Sequence, residues 1–310
     1  LGSLTLVIRR SAISRRIIVF SCPHGANTLP QRGSRNEPAT AWLRVEVPSI
    51  DVVSIDWLLG SLALGASSAV VVSCPGGCPR EQGDSVSGRV DYCRALLRRL
   101  GHLQERVALL DAADVQPLDD AVTATFAAAP AAQSRGQSFA FGGADASARA
   151  LLALVGETWA GAFEPLSHRS SPLGMVAVDS GACTMCERCT QVCPTGALEM
   201  KRLGDAVALT FDPARCVACG LCPTQCPEAG AIRVDRVTDL PALKAGRRQL
   251  VSGHTVRCTQ CGAPIAPMAL LRRIATLVES GDDSGAELLR NISQRCPSCR
   301  VVGSPAHPLT

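Results

Sequence analysis

The period of the apolar positions changes along the chain, and each change marks an element. RRIIVFSC (15–22) gathers its apolar residues into one short run, the pattern of a buried strand. LRVEV (43–47) predicts a second strand, SSAVVVSC (67–74) a third and RVALLDA (106–112) a fourth. Between them, DVVSIDWLLGSLALGA (51–66) and SGRVDYCRALLRRLG (87–101) repeat their apolar residues at helical spacing, and Gly101 closes the second helix. Strands alternating with helices predict an α/β N-terminal domain over 1–112, built on a parallel sheet. Residues 113–172 are rich in Ala, Ser, Gly and Pro and predict a linker holding one helix at 146–160. Two cysteine-dense repeats fill 173–238. A last unit, 250–303, shows helical patterns at PMALLRRIATLVES (267–280) and GAELLRNIS (285–293).

One apolar stretch, VVSIDWLLGSLALGASSAVVV (52–72), approaches membrane length. It contains Asp56 and breaks at Gly65, Ala66 and Ser67, so a helix followed by a buried strand accounts for it better than a span. The opening stretch begins at Leu1 rather than Met and has no clear apolar h-region, so no signal peptide is expected. Hydrophobic residues make up 46% of the 310, enough for real cores in about two or three domains. Aromatics are only 3%, which predicts cores of small residues. The formal charge of +4 comes without a long Lys/Arg run, which argues against nucleic acid as a partner.

Sixteen cysteines carry the candidate chemistry. All but Cys22 and Cys93 fall in C-x2-C or C-x3-C spacings, which suit metal chelation on a turn better than pairing with each other. That usage predicts a reducing compartment and a cytoplasmic protein.

CTMCERCTQVCP (183–194) and CVACGLCPTQCP (216–227) share one rhythm, C-x2-C-x2-C-x3-C-P. A [4Fe–4S] cluster needs four thiolates, and three on a tight loop wrap one face of it. With CPTGAL (193–198), FDPARCVACGLC (211–222) and CPEAGAI (226–232), residues 173–238 resemble bacterial-type ferredoxins with two [4Fe–4S] clusters. The resemblance implies an α+β ferredoxin-like dicluster module with pseudo-two-fold symmetry that carries single electrons. In that arrangement the fourth Cys of each run reaches the other cluster. It assigns Cys183, Cys186, Cys189 and Cys226 to one cluster, and Cys216, Cys219, Cys222 and Cys193 to the other. Gly196 and Gly220 read as places where backbone approaches the clusters. Zinc is the alternative ion, but a zinc site needs neither a third Cys in the run nor a swapped fourth.

RCTQCG (257–262) and QRCPSCR (294–300) form two further knuckles, Cys258 with Cys261 and Cys296 with Cys299. Four thiolates suit a structural Zn²⁺ that would fold a small metal-stapled C-terminal unit with little core of its own. A rubredoxin-like single iron, another Fe–S centre and metal-free thiols stay open, and Arg300 stands where the rubredoxin pattern has Gly. The block CTQCGAPIAP…CPSCR is similar to the tail of ferredoxin-like proteins found beside formate dehydrogenases.

VVVSCPGGCPREQGDSVSGRVDYCRALLRRLG (70–101) resembles the delta subunit of methyl-viologen-reducing hydrogenases. That family reads strand, Gly-Cys-His-Pro-Gly-Asp-Cys-His, helix. It has an early Cys-x2-Cys and a later Cys-Ser-Gly-Arg, carries a [2Fe–2S] cluster, and passes electrons between a hydrogenase and heterodisulfide reductase. Cys22, Cys74 and Cys78 match three of its cysteines, while Gly25 and Ser49 stand at two others. His24 and Cys93 are the candidates to complete the set. A [2Fe–2S] site, a cluster-free docking domain and a redox thiol pair remain the three readings of this domain.

His102, His168, His254 and His307 are isolated and read as surface or packing residues, and Arg247–Arg248 as a solvated face or a dock for an acidic partner. No Walker, Rossmann, serine-elbow or zincin motif is present. The expected function is a non-catalytic iron–sulfur electron-transfer subunit. Its partners would be subunits of a hydrogenase, heterodisulfide-reductase-like or formate-dehydrogenase-like complex, with no direct membrane insertion. The alternatives are a redox-sensing or assembly factor for such an enzyme, and a thiol/disulfide oxidoreductase using Cys22, Cys74 and Cys78.

Overall fold

A computed structural model describes residues 15–26, 40–75, 85–112, 141–156, 161–279, 289 and 291–302. Cys78, His307 and part of the helix expected over 285–293 lie outside these residues. The chain divides into two compact units. The first comprises Leu1–Met175, Ala214–Ala218 and Arg236–Ala245, and the second Val176–Pro213, Cys219–Asp235 and Gly246–Thr310.

The first unit holds four parallel strands: β1 (Arg15–Ser21), β2 (Thr40–Glu46), β3 (Ser68–Ser73) and β4 (Val107–Asp111), in the order β2-β1-β3-β4. The central strand β3 is buried along nearly its whole length, as a strand covered on both faces must be. Ile18, Phe20 and Val71 face one core, while Ile17, Val19, Val70, Val72 and Ala108 face the other. The period-2 alternation of strand side chains divides them this way.

The helices end where the local chemistry dictates. The expected helix over 51–66 is a 3₁₀ turn, Ile50–Val52, followed by α1 (Ile55–Ala63). Asp56 on α1 is 6% exposed, and both its oxygens are used. One accepts from the Ser54 hydroxyl and the other from Gly142 N–H at 3.3 Å, which is how a buried carboxylate avoids its desolvation cost. Helix α2 (Val86–Arg99) starts at Ser85, whose hydroxyl accepts from Gly88 N–H at 3.1 Å. It ends at Gly101, φ +73°, where His102 N–H reaches Leu97 O at 2.9 Å and Gly101 N–H reaches Arg98 O at 3.1 Å. That is a Schellman closure, and its left-handed residue favours glycine.

Helix α3 (Ala146–Val155) is no spacer, contrary to the linker expected over 113–172. Ala148, Ala150, Leu151 and Leu154 are buried in the same core as Leu58 and Leu62 of α1. Each fully buried Leu stabilises by about 1.5–3 kcal/mol, enough to fix a helix of good formers that is too short to be stable alone. Helix α4 (Leu240–Ala245) adds Leu240 and Leu243 to that core. Just before it, Thr238 shares a hydrogen bond of 2.7 Å with Tyr92 of α2 and one of 3.0 Å with Ser171. A short strand β5 (Leu166–Ser167) pairs antiparallel with 237–238, the end of β9 (Ile232–Thr238).

The second unit begins within β6 (Gly174–Val178), whose end leads into the first cysteine run. β7 (Leu198–Leu203) and β8 (Ala206–Phe211) form a hairpin closed by Gly204 and Asp205, with Gly204 at φ +60° as such tight turns require. β10 (Arg248–Arg257) pairs antiparallel with β8, and β11 (Pro264–Pro267) with β10, giving the order β11-β10-β8-β7. Helices α5 (Met268–Glu279) and α6 (Pro297–Val302) follow. The region expected to start a separate terminal unit at 250 is therefore a strand of the sheet that β7 and β8 build between the two cysteine runs.

Arg247 is not a solvated residue. Its guanidinium donates to Thr210 Oγ1 at 3.2 Å and pairs with Glu199 at 3.2 Å and Asp212 at 3.7 Å. Arg248 lies over the Phe211 ring at 5.8 Å. No helix among the described residues is long and apolar enough to cross a membrane.

The Tyr92–Thr238–Ser171 chain yields a test. Tyr92→Phe leaves the buried Thr238 hydroxyl short of a partner and is expected to cost about 1–2 kcal/mol. A lower denaturant midpoint at unchanged slope would show it.

Candidate functional site

The two cysteine runs impose the same backbone twice. Met185 (φ +58°) and Glu187 (φ +66°) are left-handed in the first run, and Ala218 (φ +51°) and Gly220 (φ +79°) hold the matching places in the second. A one-turn helix follows each, Arg188–Gln191 and Leu221–Thr224. A non-glycine residue in this region costs about 1–2 kcal/mol. The inverted turn brings main-chain N–H groups round to the sulfurs: Met185 N–H bonds the Cys183 sulfur.

Cys183, Cys186, Cys189 and Cys226 line one pocket of the second unit, floored by Met200, Leu209 and Ile232. Burial, with neighbouring thiols at Cys183, Cys186, Cys222 and Cys226, pushes the Cys189 thiol up to about 12. Burial raises Cys183 as well. Four thiolates cannot share so apolar a place without a cationic centre among them. The donor set therefore fits a cubane, whose iron would supply that charge.

Of the second set, Cys216 falls in the first compact unit, and Cys193, Cys219 and Cys222 in the second. Burial works against ionisation of Cys193. Its sulfur nevertheless stays below the usual thiol range, because N–H groups of Leu198, Thr195 and Ala197 and the Thr195 hydroxyl surround it. Arg247 reaches the same loop, donating to Gly196 O at 3.4 Å, and Gly196 itself is left-handed at φ +64°. Gly174 donates to Cys216 O at 3.0 Å, and a Cβ there would stand 3.0 Å from the Cys216 sulfur and 2.8 Å from Ala218 Cβ. Cys216 and Cys222 are buried, whereas Cys219 is exposed.

The terminal four converge most tightly: the sulfurs of Cys258, Cys261, Cys296 and Cys299 all lie within 4.8 Å of one another. Cys261 and Cys296 are 3.6 Å apart. Tetrahedral coordination at the usual Zn–S length puts sulfurs about 3.8 Å apart, so the set fits one metal ion. The first knuckle follows β10 directly and turns at Gly262 (φ +73°), with Cys258 N–H on Ala263 O at 2.8 Å. Backbone N–H groups, that of Cys296 first, pull Cys258 down to about 6, and the N–H of Cys299 lowers Cys296. Contacts with the sulfurs of Cys261 and Cys296 push Cys299 up to about 12. The Ala263 N–H and the Cys299 thiol favour the Cys261 thiolate, but Cys258 and Cys296 outweigh them, and Cys261 is raised. At neutral pH Cys261 and Cys299 therefore keep their protons, while Cys258 gives its own up.

In the first unit, Cys22 follows β1 and Cys74 follows β3. Their buried sulfurs are 3.3 Å apart. The order β2-β1-β3-β4 reverses direction between those two strands, and the crevice at their carboxyl ends is where open α/β sheets bind ligands. Cys78 lies outside the described residues. Ser49 caps the 3₁₀ turn, accepting from Asp51 N–H at 3.3 Å, and His24 is exposed. Cys93 is 0% exposed within α2, and burial raises its thiol far above the usual range, so it is a core residue. His168 accepts from Ser170 N–H at 3.1 Å and packs its edge on Tyr92, His102 is half-buried, and His254 is exposed.

Metal uptake by the terminal four should release at least two protons per ion near neutrality, those of Cys261 and Cys299, because only thiolates bind. Affinity is then expected to rise at least about a hundredfold per pH unit near pH 7. Competition titrations with a chelator at several pH values measure that slope.

Residues 182–231 match the family model of the 4Fe-4S dicluster domain. Residues 17–127 match that of the methyl-viologen-reducing hydrogenase, delta subunit. No curated protein matches the chain. The chain thus carries one region that matches the hydrogenase delta subunit and one that matches the 4Fe-4S dicluster domain, followed by a four-cysteine group that could hold a metal.

Proposed function

We propose that this protein is an electron-transfer subunit of a larger redox complex, of hydrogenase, heterodisulfide-reductase-like or formate-dehydrogenase-like type, relaying single electrons through two [4Fe–4S] clusters. The convergence of Cys183, Cys186, Cys189 and Cys226 from two distant runs on one pocket carries the reading. Bound there, clusters would supply one-electron chemistry at low potential. The chain's own residues do the rest. The left-handed turns at Met185 and Glu187 aim the thiols inward, and Met200, Leu209 and Ile232 keep water out. The N–H groups around Cys193 stabilise negative charge on its sulfur. Exposed Cys219 brings the second set to the surface, where an electron can leave for a partner. The α/β domain docks the module, and the terminal four hold a structural zinc.

Iron, acid-labile sulfide and zinc on anaerobically purified protein test this, with paramagnetic resonance after reduction. About eight irons, eight sulfides and one zinc per chain are expected. Protein without clusters reducible at low potential would overturn the proposal. Double variants test the swapped fourth ligand. Cys183→Ser with Cys226→Ser should lose no more iron than either alone, about four atoms, while Cys219→Ser with Cys226→Ser should lose about eight.

A second reading has one observation in its favour: the 3.3 Å separation of Cys22 and Cys74 suits a dithiol able to close to a disulfide. Peptide mapping after oxidation should then find the two linked. A Cys74→Ala variant with full activity in the assembled complex would rule out a part for that thiol in turnover.

A further inference from the structure

We infer that the C-terminal segment clamps the first cysteine set, with Arg273 and Gly253 as positioning residues for the cluster it would hold. This deepens the electron-transfer reading and rests on Cys183, Cys186, Cys189 and Cys226 being ligands of one [4Fe–4S] cluster. Two independent contacts within the second unit carry it, one to each stretch of chain that supplies those thiols.

The first contact comes from α5. Arg273 donates from Nε to Glu228 Oε1 at 3.0 Å, and the Glu228 side chain is only 19% exposed. Glu228 follows Cys226 by two residues. The ion pair ties down the loop that delivers the swapped fourth ligand and neutralises a carboxylate beside it. The second contact comes from β10. Met185 is 3% exposed, stands between Cys183 and Cys186 and lines the thiol pocket. Its sulfur lies 2.8 Å from where a Cβ on Gly253 would be. Glycine weakens a strand interior and is kept where another group approaches closely, and here that group is Met185.

Both contacts issue from one continuous piece. β10 is fixed by Thr255 N–H on Asp205 O at 2.8 Å and by the ion pair of Arg257 with Asp205. The Arg257 guanidinium also donates to Gly262 O at 2.8 Å, inside the first metal knuckle. α5 begins immediately after β11, the strand that pairs with β10. The four-cysteine centre thus anchors the base of a two-armed clamp. One arm packs on Met185, within the 183–189 loop, and the other holds Glu228.

The physical consequences are separable. Loss of either arm loosens the four thiols and speeds iron loss. Loss of the Arg273 cation also leaves an uncompensated carboxylate near Cys226, which disfavours the added electron and lowers that cluster's potential. Glu228→Gln has the opposite electrostatic sign.

The experiment uses the full anaerobic holoprotein and follows iron capture by a strong ferrous chelator, with redox titration alongside. Arg273→Gln and Gly253→Val are expected to release about four of eight irons roughly two- to five-fold faster than the parent, the other four unchanged. One of two reduction steps should move down in Arg273→Gln and up in Glu228→Gln, and Arg273→Lys should restore most of the parent rate. Arg272→Gln, a change at the exposed neighbour of Arg273 on α5, should behave as the parent. Parent-like release and potentials in both Arg273→Gln and Gly253→Val would overturn the clamp, as would equal acceleration of all the iron. A parent chain isolated without cluster iron would instead overturn the two-cluster reading on which the clamp rests.

Discussion

Ionised sulfurs repel one another, and burial sharpens the repulsion; most of what is distinctive in this chain follows from that constraint. Cys189, buried among four other thiols, resists ionisation, while Cys193, also opposed by burial, is lowered because several N–H donors and a hydroxyl surround its sulfur. The backbone meets the constraint by turning its N–H groups inward, which requires left-handed residues at equivalent places in both runs. The cost of placing Met185, Glu187 and Ala218 there, on the order of 1–2 kcal/mol each, is small beside the cost of an unscreened thiolate in an apolar pocket. The terminal centre solves the same problem with two lowered and two raised thiols.

Local signals made much of this legible in advance. The parallel strands were readable because buried strands are continuous apolar runs, and α2 because Gly101 closes a helical pattern. The cysteine runs announced their own chemistry, since ligand spacing is a local property. What the sequence hid was non-local. Nothing in GRRQLVSGHTVRC (246–258) announces that its strand pairs with β8; its alternation is imperfect and the partner lies some forty residues away. Arg247 looked like a surface charge because its partners, Thr210, Glu199 and Asp212, come from the hairpin it crosses. Helix α3 sits between Ala/Gly/Ser-rich stretches that resemble a spacer, yet a small-residue helix is the kind that packs closely against α1.

The two glycines that matter most for the site were not singled out by spacing at all. Gly174 and Gly253 have ordinary strand backbones; a Cβ at Gly174 would run into Ala218 and the Cys216 sulfur, and one at Gly253 would have to displace the Met185 sulfur. Glycines in turns declare themselves through φ; glycines under a packed sulfur appear only in three dimensions.

The lock between Tyr92 and Thr238, with Leu240 and Leu243 in the first unit's core, also sets an order of events during synthesis. An α/β domain usually finishes folding once its own residues have left the ribosome. Here the last pieces of that core are encoded beyond both cysteine runs. The first unit cannot close until residue 245 has emerged, by which time every cysteine of the two runs has emerged as well. Exposure of those thiols and completion of the α/β unit therefore share one window on the nascent chain.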